Sequence, residues 1–291
     1  MLENKSILII GANGTIGSEL VSFFESKGHN IFTTTRNTNS VSDRCFFLNL
    51  SIDEINLQKF NRNFDIVIIC AAITSQKFCL NNRELSWRVN VENTVKIAKG
   101  MREAGAFIIF LSSNAVFNGE LPFVNSQEKA TPTTEYGCQK LEVENQLLKL
   151  QHKISIVRFS KVINQNMTLV NQWIVNLKMG RRITPLDDML ISPVPVSFAV
   201  LVLYTIVLKE FPGIVQVSSN QDITYADFAR YIASKIGVDQ NLISPISYID
   251  QGFENVSKNT TLDGSALTHL GLTSPDVWKG IDDTFGFHYN E

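Results

Sequence analysis

The stretch that most constrains this chain is Ile7 to Gly17, ILIIGANGTIG. Four consecutive apolar residues, Ile7 to Ile10, suit a strand buried on both faces. Gly11, Gly14 and Gly17 follow at G-x-x-G-x-x-G spacing, and Ser18 to Ser26 reads as a helix. Each glycine then has its own task. Gly11 lets the chain turn sharply off the strand, Gly14 lets the backbone approach a phosphate, and Gly17 lets the helix pack close on the sheet. The helix N-terminus, with unpaired N–H groups and the positive dipole end, faces an anion. This assigns Gly11, Asn13, Gly14, Thr15, Ile16 and Gly17 to a bound dinucleotide. The alternative is an ordinary strand–turn–helix with loop glycines.

The first half of the chain continues the alternation. Strands are expected at Asn30–Thr35, Cys45–Leu50, Phe64–Ala72, Ala106–Phe117 and Ile154–Ile163. Helices are expected at Ile52–Phe60, Glu84–Ala104 and about Thr133–Leu150, with a loop over Asn118–Pro132. Strands separated by helices call for right-handed crossovers and a parallel sheet, so the fold class is α/β, a Rossmann-type doubly wound sheet. After residue 163 the rhythm changes. Gln165–Met179 reads as a helix, Ser192–Val196 as a Pro-punctuated connector, Phe198–Leu208 as a helix apolar all round, and Ile214–Ser218 as a short strand. Thr224 and Asp227 form a weaker relative of the capping box, and Gly237 closes the helix they start. The expected division is a nucleotide-binding domain over 1–163 and a smaller substrate-binding lobe over 164–291. The helix near 197–209 is expected to pack back on the first domain. The lobe is expected over the carboxyl ends of the strands, where such sheets leave a ligand crevice.

Composition removes several function classes. A formal net charge of −2 gives no general affinity for nucleic acid or anionic membranes. The longest apolar run, Phe198 to Leu208, is too short to span a bilayer, and no signal peptide opens the chain. Cys45, Cys70, Cys79 and Cys138 lack metal or disulfide spacing and read as reduced thiols of a cytoplasmic protein. His29, His152, His269 and His288 are dispersed, so no metal site is expected.

Several residues carry chemistry. Arg36 ends the second strand, where nicotinamide-dependent folds commonly place an acid for the adenosine ribose. An arginine there favours a 2′-phosphate, which predicts NADP(H) over NAD(H); otherwise it is a solvent-exposed loop residue. Asn49, with Leu50 beside it, is placed to reach the adenine edge. Tyr136 and Lys140 stand four apart in YGCQK, one helical turn, so they share a face. A nearby ammonium is expected to bring a phenol toward a useful range for proton transfer. Such a pair is also common on helix surfaces; its force comes from following the glycine loop and the fifth strand. Ser113 ends that strand, placed to hydrogen-bond a carbonyl oxygen, and Asn90 in RVNV is placed to hold a water or backbone group in a proton path.

GANGTIG, CAAIT, RVNV, LSSNAVFNG and YGCQK occur here in the order seen in extended short-chain dehydrogenase/reductases. TTLDGSALTHLGL followed by Trp278 further resembles the dTDP-4-dehydrorhamnose reductase branch. The resemblance implies a catalytic set of Ser113, Tyr136 and Lys140 with Asn90, and a cofactor lined also by Cys70, Ala71, Ala72 and Thr74. It implies hydride transfer from NADPH to the ketone carbon of a nucleotide-linked sugar, with Tyr136 protonating the oxygen. The branch often carries Thr-Asp where this chain has Ser113-Asn114, and related dehydratases place Asp-Glu after the Ser/Thr; Asn114-Ala115 does not serve dehydration. An aromatic residue closely followed by Glu is expected where Phe123-Val124-Asn125 stands. The other functions compatible with the resemblance are a non-catalytic NADP-binding regulatory subunit and a sugar-nucleotide epimerase or bifunctional epimerase–reductase. A homodimer through the helices at 84–104 and 133–150 is also implied, and Trp87, Val91, Val95 and Ala98 form a stripe there that core packing explains equally well.

Overall fold

The computed structural model describes residues 4–60, 62–250 and 258–287. β1 (Ser6–Ile10) shows why the opening reads as a strand covered on both sides. Ile7 and Ile9 point into one apolar layer, Leu8 and Ile10 into the other, and all four are essentially inaccessible to water. α1 (Thr15–Ser26), β2 (Asn30–Thr35), β3 (Cys45–Phe47) and β4 (Ile66–Ile69) follow. α2 (Gln76–Asn81) and α3 (Arg83–Trp87) lead through a π-helical turn, Arg88–Glu92, into α4 (Asn93–Glu103). β5 (Phe107–Ser113), α5 (Glu135–Leu148), β6 (Ile154–Phe159), β7 (Lys161–Ile163) and α6 (Thr168–Lys178) come next. The remainder comprises β8 (Leu190–Ile191), β9 (Pro193–Pro195), α7 (Val196–Lys209), β10 (Gly213–Val217), β11 (Ile223–Thr224), α8 (Tyr225–Lys235), α9 (Ser265–Leu270) and α10 (Val277–Phe285).

Seven strands form one sheet in the order β10-β6-β5-β4-β1-β2-β3, every neighbouring pair parallel. This is the Rossmann-type doubly wound α/β sheet, with its topological switch point between β1 and β4. α1 and α7 cover one face through Leu20, Phe24, Val202, Leu203 and Ile206. α4 and α5 cover the other through Val95, Ile97, Ala98, Val143 and Leu147. Each such fully buried aliphatic side chain contributes about 1.5–3 kcal/mol. A separate core, with Trp173, Phe228, Ile232, Val277 and Ile281, gathers α6, α8 and α10. The capping box expected at Thr224 and Asp227 is complete at the start of α8.

Several local expectations change. The helix expected over Ile52–Phe60 is only a 3-10 turn at Leu57–Phe60. Asn93 Nδ2 donates to the Leu50 and Ile52 carbonyls at 2.9 and 2.8 Å, tying this stretch to the start of α4 in an irregular conformation. The strand expected over Ile154–Ile163 breaks at Ser160, whose N–H donates to Val217 O; β7 then leaves the main sheet to pair with β9. β10 joins the main sheet beside β6, so residues 196–217 return to the layers built by the first half of the chain. Val91, Val95 and Ala98 are buried in the chain's own core, leaving only Trp87 of that stripe exposed. No helix among the described residues is long and apolar enough to cross a membrane.

Candidate functional site

The glycine loop stands at the carboxyl end of β1, and two of its glycines are required by the protein's own packing. Gly11 has φ +88°, and a Cβ there would lie 2.7 Å from the backbone nitrogen of Ala71. A Cβ on Gly17 would lie 2.2 Å from Gly11 O, so α1 could not sit where it does. Gly14 differs, since its Cβ would meet only Gly11 O, at an ordinary 3.4 Å. The protein's own packing therefore does not require glycine at this position, and its outer side is open. α1 has no side-chain cap and no acid in its first turn, leaving its first N–H groups free for an anion. Asn13 and Thr15 are exposed at this mouth, and Ile16 is half-buried behind them.

Across the switch point, Cys70 N–H and Ala71 N–H both donate to Ile10 O, at 2.9 and 3.0 Å, joining the CAAIT turn to the glycine loop. Cys70, Ala71 and Ala72 are half-buried and Thr74 is exposed. Enclosure by protein pushes the Cys70 thiol up to about 12, so it stays protonated and inert. Asn90, in the π-helical turn, clamps the same segment. Its Oδ1 accepts from Ile73 N–H at 2.7 Å, and its Nδ2 donates to Ile73 O at 2.9 Å and to Gln139 Oε1 at 2.8 Å. The side chain therefore fixes the backbone of Ile73. Asn93, one turn on, clamps the turn after β3 in the same way, and the sequence reading passed it over although it repeats the Asn at helical spacing. Asn49 Oδ1 accepts from Ser51 N–H and Oγ, Leu50 is buried behind it, and Arg36 is exposed just past β2.

The chemistry-bearing trio meets at the carboxyl end of β5. Thr134 caps α5 by accepting from Gly137 N–H at 3.1 Å, which places Tyr136 and Lys140 in its first turns. Gly137 was not singled out from sequence, yet a Cβ there would lie 2.1 Å from Ala115 O. Only glycine lets α5 press onto the Asn114–Val116 turn that carries Ser113. Tyr136 is buried, and burial, reinforced by Cys79, raises its phenol well above the ordinary range; a hydrogen bond with Ser113 opposes this. Lys140 Nζ donates to Leu111 O at 2.7 Å, 4.5 Å from the Phe110 ring centre and 5.8 Å from that of Tyr136. Burial brings the ammonium down to about 8, against an upward pull from Glu144. The expected lowering of the phenol by Lys140 is absent from this geometry, in which the ammonium serves a backbone carbonyl. Tyr136 thus keeps its proton at neutral pH.

A pH prediction follows. The rate constant kcat/KM for the nucleotide should fall as pH rises through about 8, where Lys140 of the free protein loses its charge. Lys140→Arg should move that limb upward, because a guanidinium does not deprotonate in this range. A rate flat from pH 7 to 9.5 would contradict the assignment.

Beyond Ser113, Asn114, Phe117, Leu121, Val124, Thr261 and Leu262 line a narrow cleft of about 10 Å³. Its walls are the loop after β5 and the TTLD segment, joined by the pairing of Val124 with Leu262 and by Asn125 Nδ2 donating to Asp263 Oδ2 at 2.7 Å. Phe123, in the left-handed region at φ 50°, donates its N–H to Thr261 Oγ1. Asp222 accepts from the N–H and hydroxyl of both Thr260 and Thr261, a second clamp the sequence reading missed because its partners lie 38 and 39 residues away. Among the described residues no three His, Cys, Asp or Glu side chains converge as metal ligands; His288 lies outside them.

Comparisons with known proteins show the fold and the family. The chain is 25% identical over 247 residues to the probable low-salt glycan biosynthesis reductase Agl14 of Haloferax volcanii, covering 81% of each chain. It is 23% identical to dTDP-4-dehydrorhamnose reductase of Mycobacterium tuberculosis, covering 84% of this chain and 80% of that one. It is also 22% identical to methionine adenosyltransferase 2 subunit beta of Bos taurus, over 93% and 84%. The crystal structure of dTDP-4-dehydrorhamnose reductase from Bacillus anthracis in complex with NADP shares the fold at a TM-score of 0.85 and 21% identity, covering 98% of this chain and 99% of that one. A family model of the RmlD substrate binding domain matches residues 5–283, nearly the whole chain, and the protein belongs to that family.

Proposed function

We propose that this chain is a cytoplasmic NADPH-dependent reductase of a nucleotide-linked 4-keto-6-deoxy sugar, serving deoxysugar and surface polysaccharide synthesis. The observation that carries the reading is the buried Tyr136 against Ser113, with Lys140 one turn away, on the carboxyl edge of the sheet that also bears the glycine loop. A protein that only bound the nucleotide would have no use for that trio.

The residues present fit a dinucleotide. The free N–H groups of α1 and the open side of Gly14 suit a pyrophosphate. Arg36 is exposed and makes no ion pair among the described residues, so its guanidinium is available to a 2′-phosphate. NADPH bound there supplies a hydride to the keto carbon. Tyr136 gives the phenol proton to the carbonyl oxygen, and Ser113 Oγ hydrogen-bonds the same oxygen as its charge develops. Lys140, fixed by its bond to Leu111 O, holds the nicotinamide ribose. Cys70 to Thr74 line the cofactor, with Asn90 as the positioning residue that fixes Ile73 between them. Asn49 Nδ2 is left to meet the adenine edge, against Leu50. The loop after β5 runs on from Ser113 and pairs with the TTLD segment, so the sugar nucleotide lies against these two segments, within a substrate lobe formed mainly by residues after 163.

Two experiments test the assignment. NADPH deuterated at C4 of the nicotinamide should deliver its label to the sugar's carbonyl carbon. Deuterium entering the ring only from heavy water, with no NADPH consumed, would replace the reductase by an epimerase. Arg36→Asp should weaken NADPH binding about tenfold or more and leave NADH binding intact, since a lost charge-assisted contact costs about 1.5–3 kcal/mol. Equal weakening of both nucleotides would remove Arg36 from phosphate recognition.

A further inference from the structure

Behind the site, at the carboxyl end of the sheet, a row of polar side chains crosses three strands where apolar residues would ordinarily stand. Ser112 of β5, Arg158 of β6 and Gln216 of β10 are direct register partners, and none is more than 5% exposed. Arg158 is shared between two sides. Its Nε and Nη2 donate to the Glu144 carboxylate of α5, the closest contact being 2.6 Å, and Ser112 Oγ donates to the same carboxylate at 2.5 Å. Its Nη1 donates to Gln216 Oε1 at 3.1 Å and to Ser126 O at 3.4 Å. Glu144 lies one turn beyond Lys140, so the row begins against the helix that carries the catalytic pair.

Gln216 closes the row on the other side. Its Oε1 faces an arginine that can only donate, which orients the amide and turns Nε2 outward. There Nε2 donates to Val124 O at 2.7 Å and to Asp263 O at 3.2 Å, spending both hydrogens on the two walls of the cleft. Val124 and Asp263 are otherwise joined by a single backbone bond, Asp263 N–H to Val124 O at 3.1 Å. Only an amide accepts from Arg158 and donates to both carbonyls at once. Glutamate keeps the first contact and loses the second; leucine loses both.

We propose that Gln216 is a positioning residue for the substrate cleft: it anchors the Val124 loop to the TTLD segment and ties both to the helix of Lys140, setting affinity for the sugar nucleotide without touching it. The cleft's role as sugar-nucleotide site rests on the proposed function; the anchoring does not. The test pairs hydrogen exchange of the free protein with steady-state kinetics for Gln216→Glu and Gln216→Leu. Exchange should accelerate at least tenfold over residues 119–126 and 259–263 and stay unchanged in β1 and α1. KM for the sugar nucleotide should rise about tenfold or more, with kcat and the Kd for NADPH kept within twofold. Gln216→Asn, too short to span, should behave as Gln216→Leu. Unchanged exchange in both segments overturns the proposal. So does acceleration throughout the chain with kcat and KM changing together, the mark of general destabilisation. If the wild-type protein reduces no sugar at all, the reductase reading fails, and the exchange arm still decides the anchoring.

Discussion

Tyr136→Phe is expected to lower turnover of the keto sugar by about 100- to 10,000-fold, the usual worth of a positioned general acid. The ring keeps its packing, since the change removes one oxygen from a buried side chain whose partner is Ser113. NADPH affinity should therefore stay within twofold and thermal stability within about 1 kcal/mol, the net worth of one hydrogen bond. Ser113→Ala should cost less, because the hydroxyl shares the carbonyl oxygen with the phenol. A Tyr136→Phe protein within tenfold of wild-type turnover would show that the proton comes from elsewhere.

Gly17→Ala should have the largest effect on the nucleotide site. The added Cβ would lie 2.2 Å from Gly11 O and 2.9 Å from Ala12 Cα, and both obstacles are backbone. Neither can swing aside as a flexible side chain would, so α1 must move away from the loop. That shift removes the helix N–H groups from the phosphates and should weaken NADPH binding by two orders of magnitude or more, on the order of 3 kcal/mol for two or three lost charge-assisted bonds. Overpacking should lower stability by about 1–3 kcal/mol as well. Gly14→Ala is the control, because its Cβ finds ordinary space in the protein. It should bind NADPH weakly while unfolding like wild type. Full nucleotide affinity in Gly17→Ala would refute the geometric account of the loop.

The sheet was legible because its strands carry unbroken apolar runs covered on both faces, as in IVII of β4 and FIIFL of β5. The glycine loop and α5 were legible because close approach and capping demand particular residue types at fixed spacing. What escaped reading depends on partners distant in sequence. Asn93 reaches 43 and 41 residues back to hold the turn after β3, and its only local mark is that it repeats Asn90 at helical spacing. The break at Ser160 exists because β10, itself a plausible isolated strand, takes the edge of β6. α2 begins on a Ser75 cap accepting from Phe78 N–H, in a stretch too short for periodicity to show. In the site, residue types pointed to Ser113, Tyr136 and Lys140, yet the proton balance between them did not follow from spacing. Lys140 spends its charge on Leu111 O, a contact set by how β5 lies under α5. Gly137 had a local signal, a glycine inside a helix beside the tyrosine, whose cause is the close approach of Ala115.

The most direct test of the central claim is NADPH oxidation by the purified protein, followed at 340 nm, with dTDP-, UDP-, GDP- and CDP-linked 4-keto-6-deoxy sugars in turn. The account predicts that one of them is reduced with one NADPH consumed per sugar, and that Tyr136→Phe abolishes that consumption. Saturable NADPH binding with no oxidation by any of the four would contradict it and leave a nucleotide-binding protein that does not reduce these sugars.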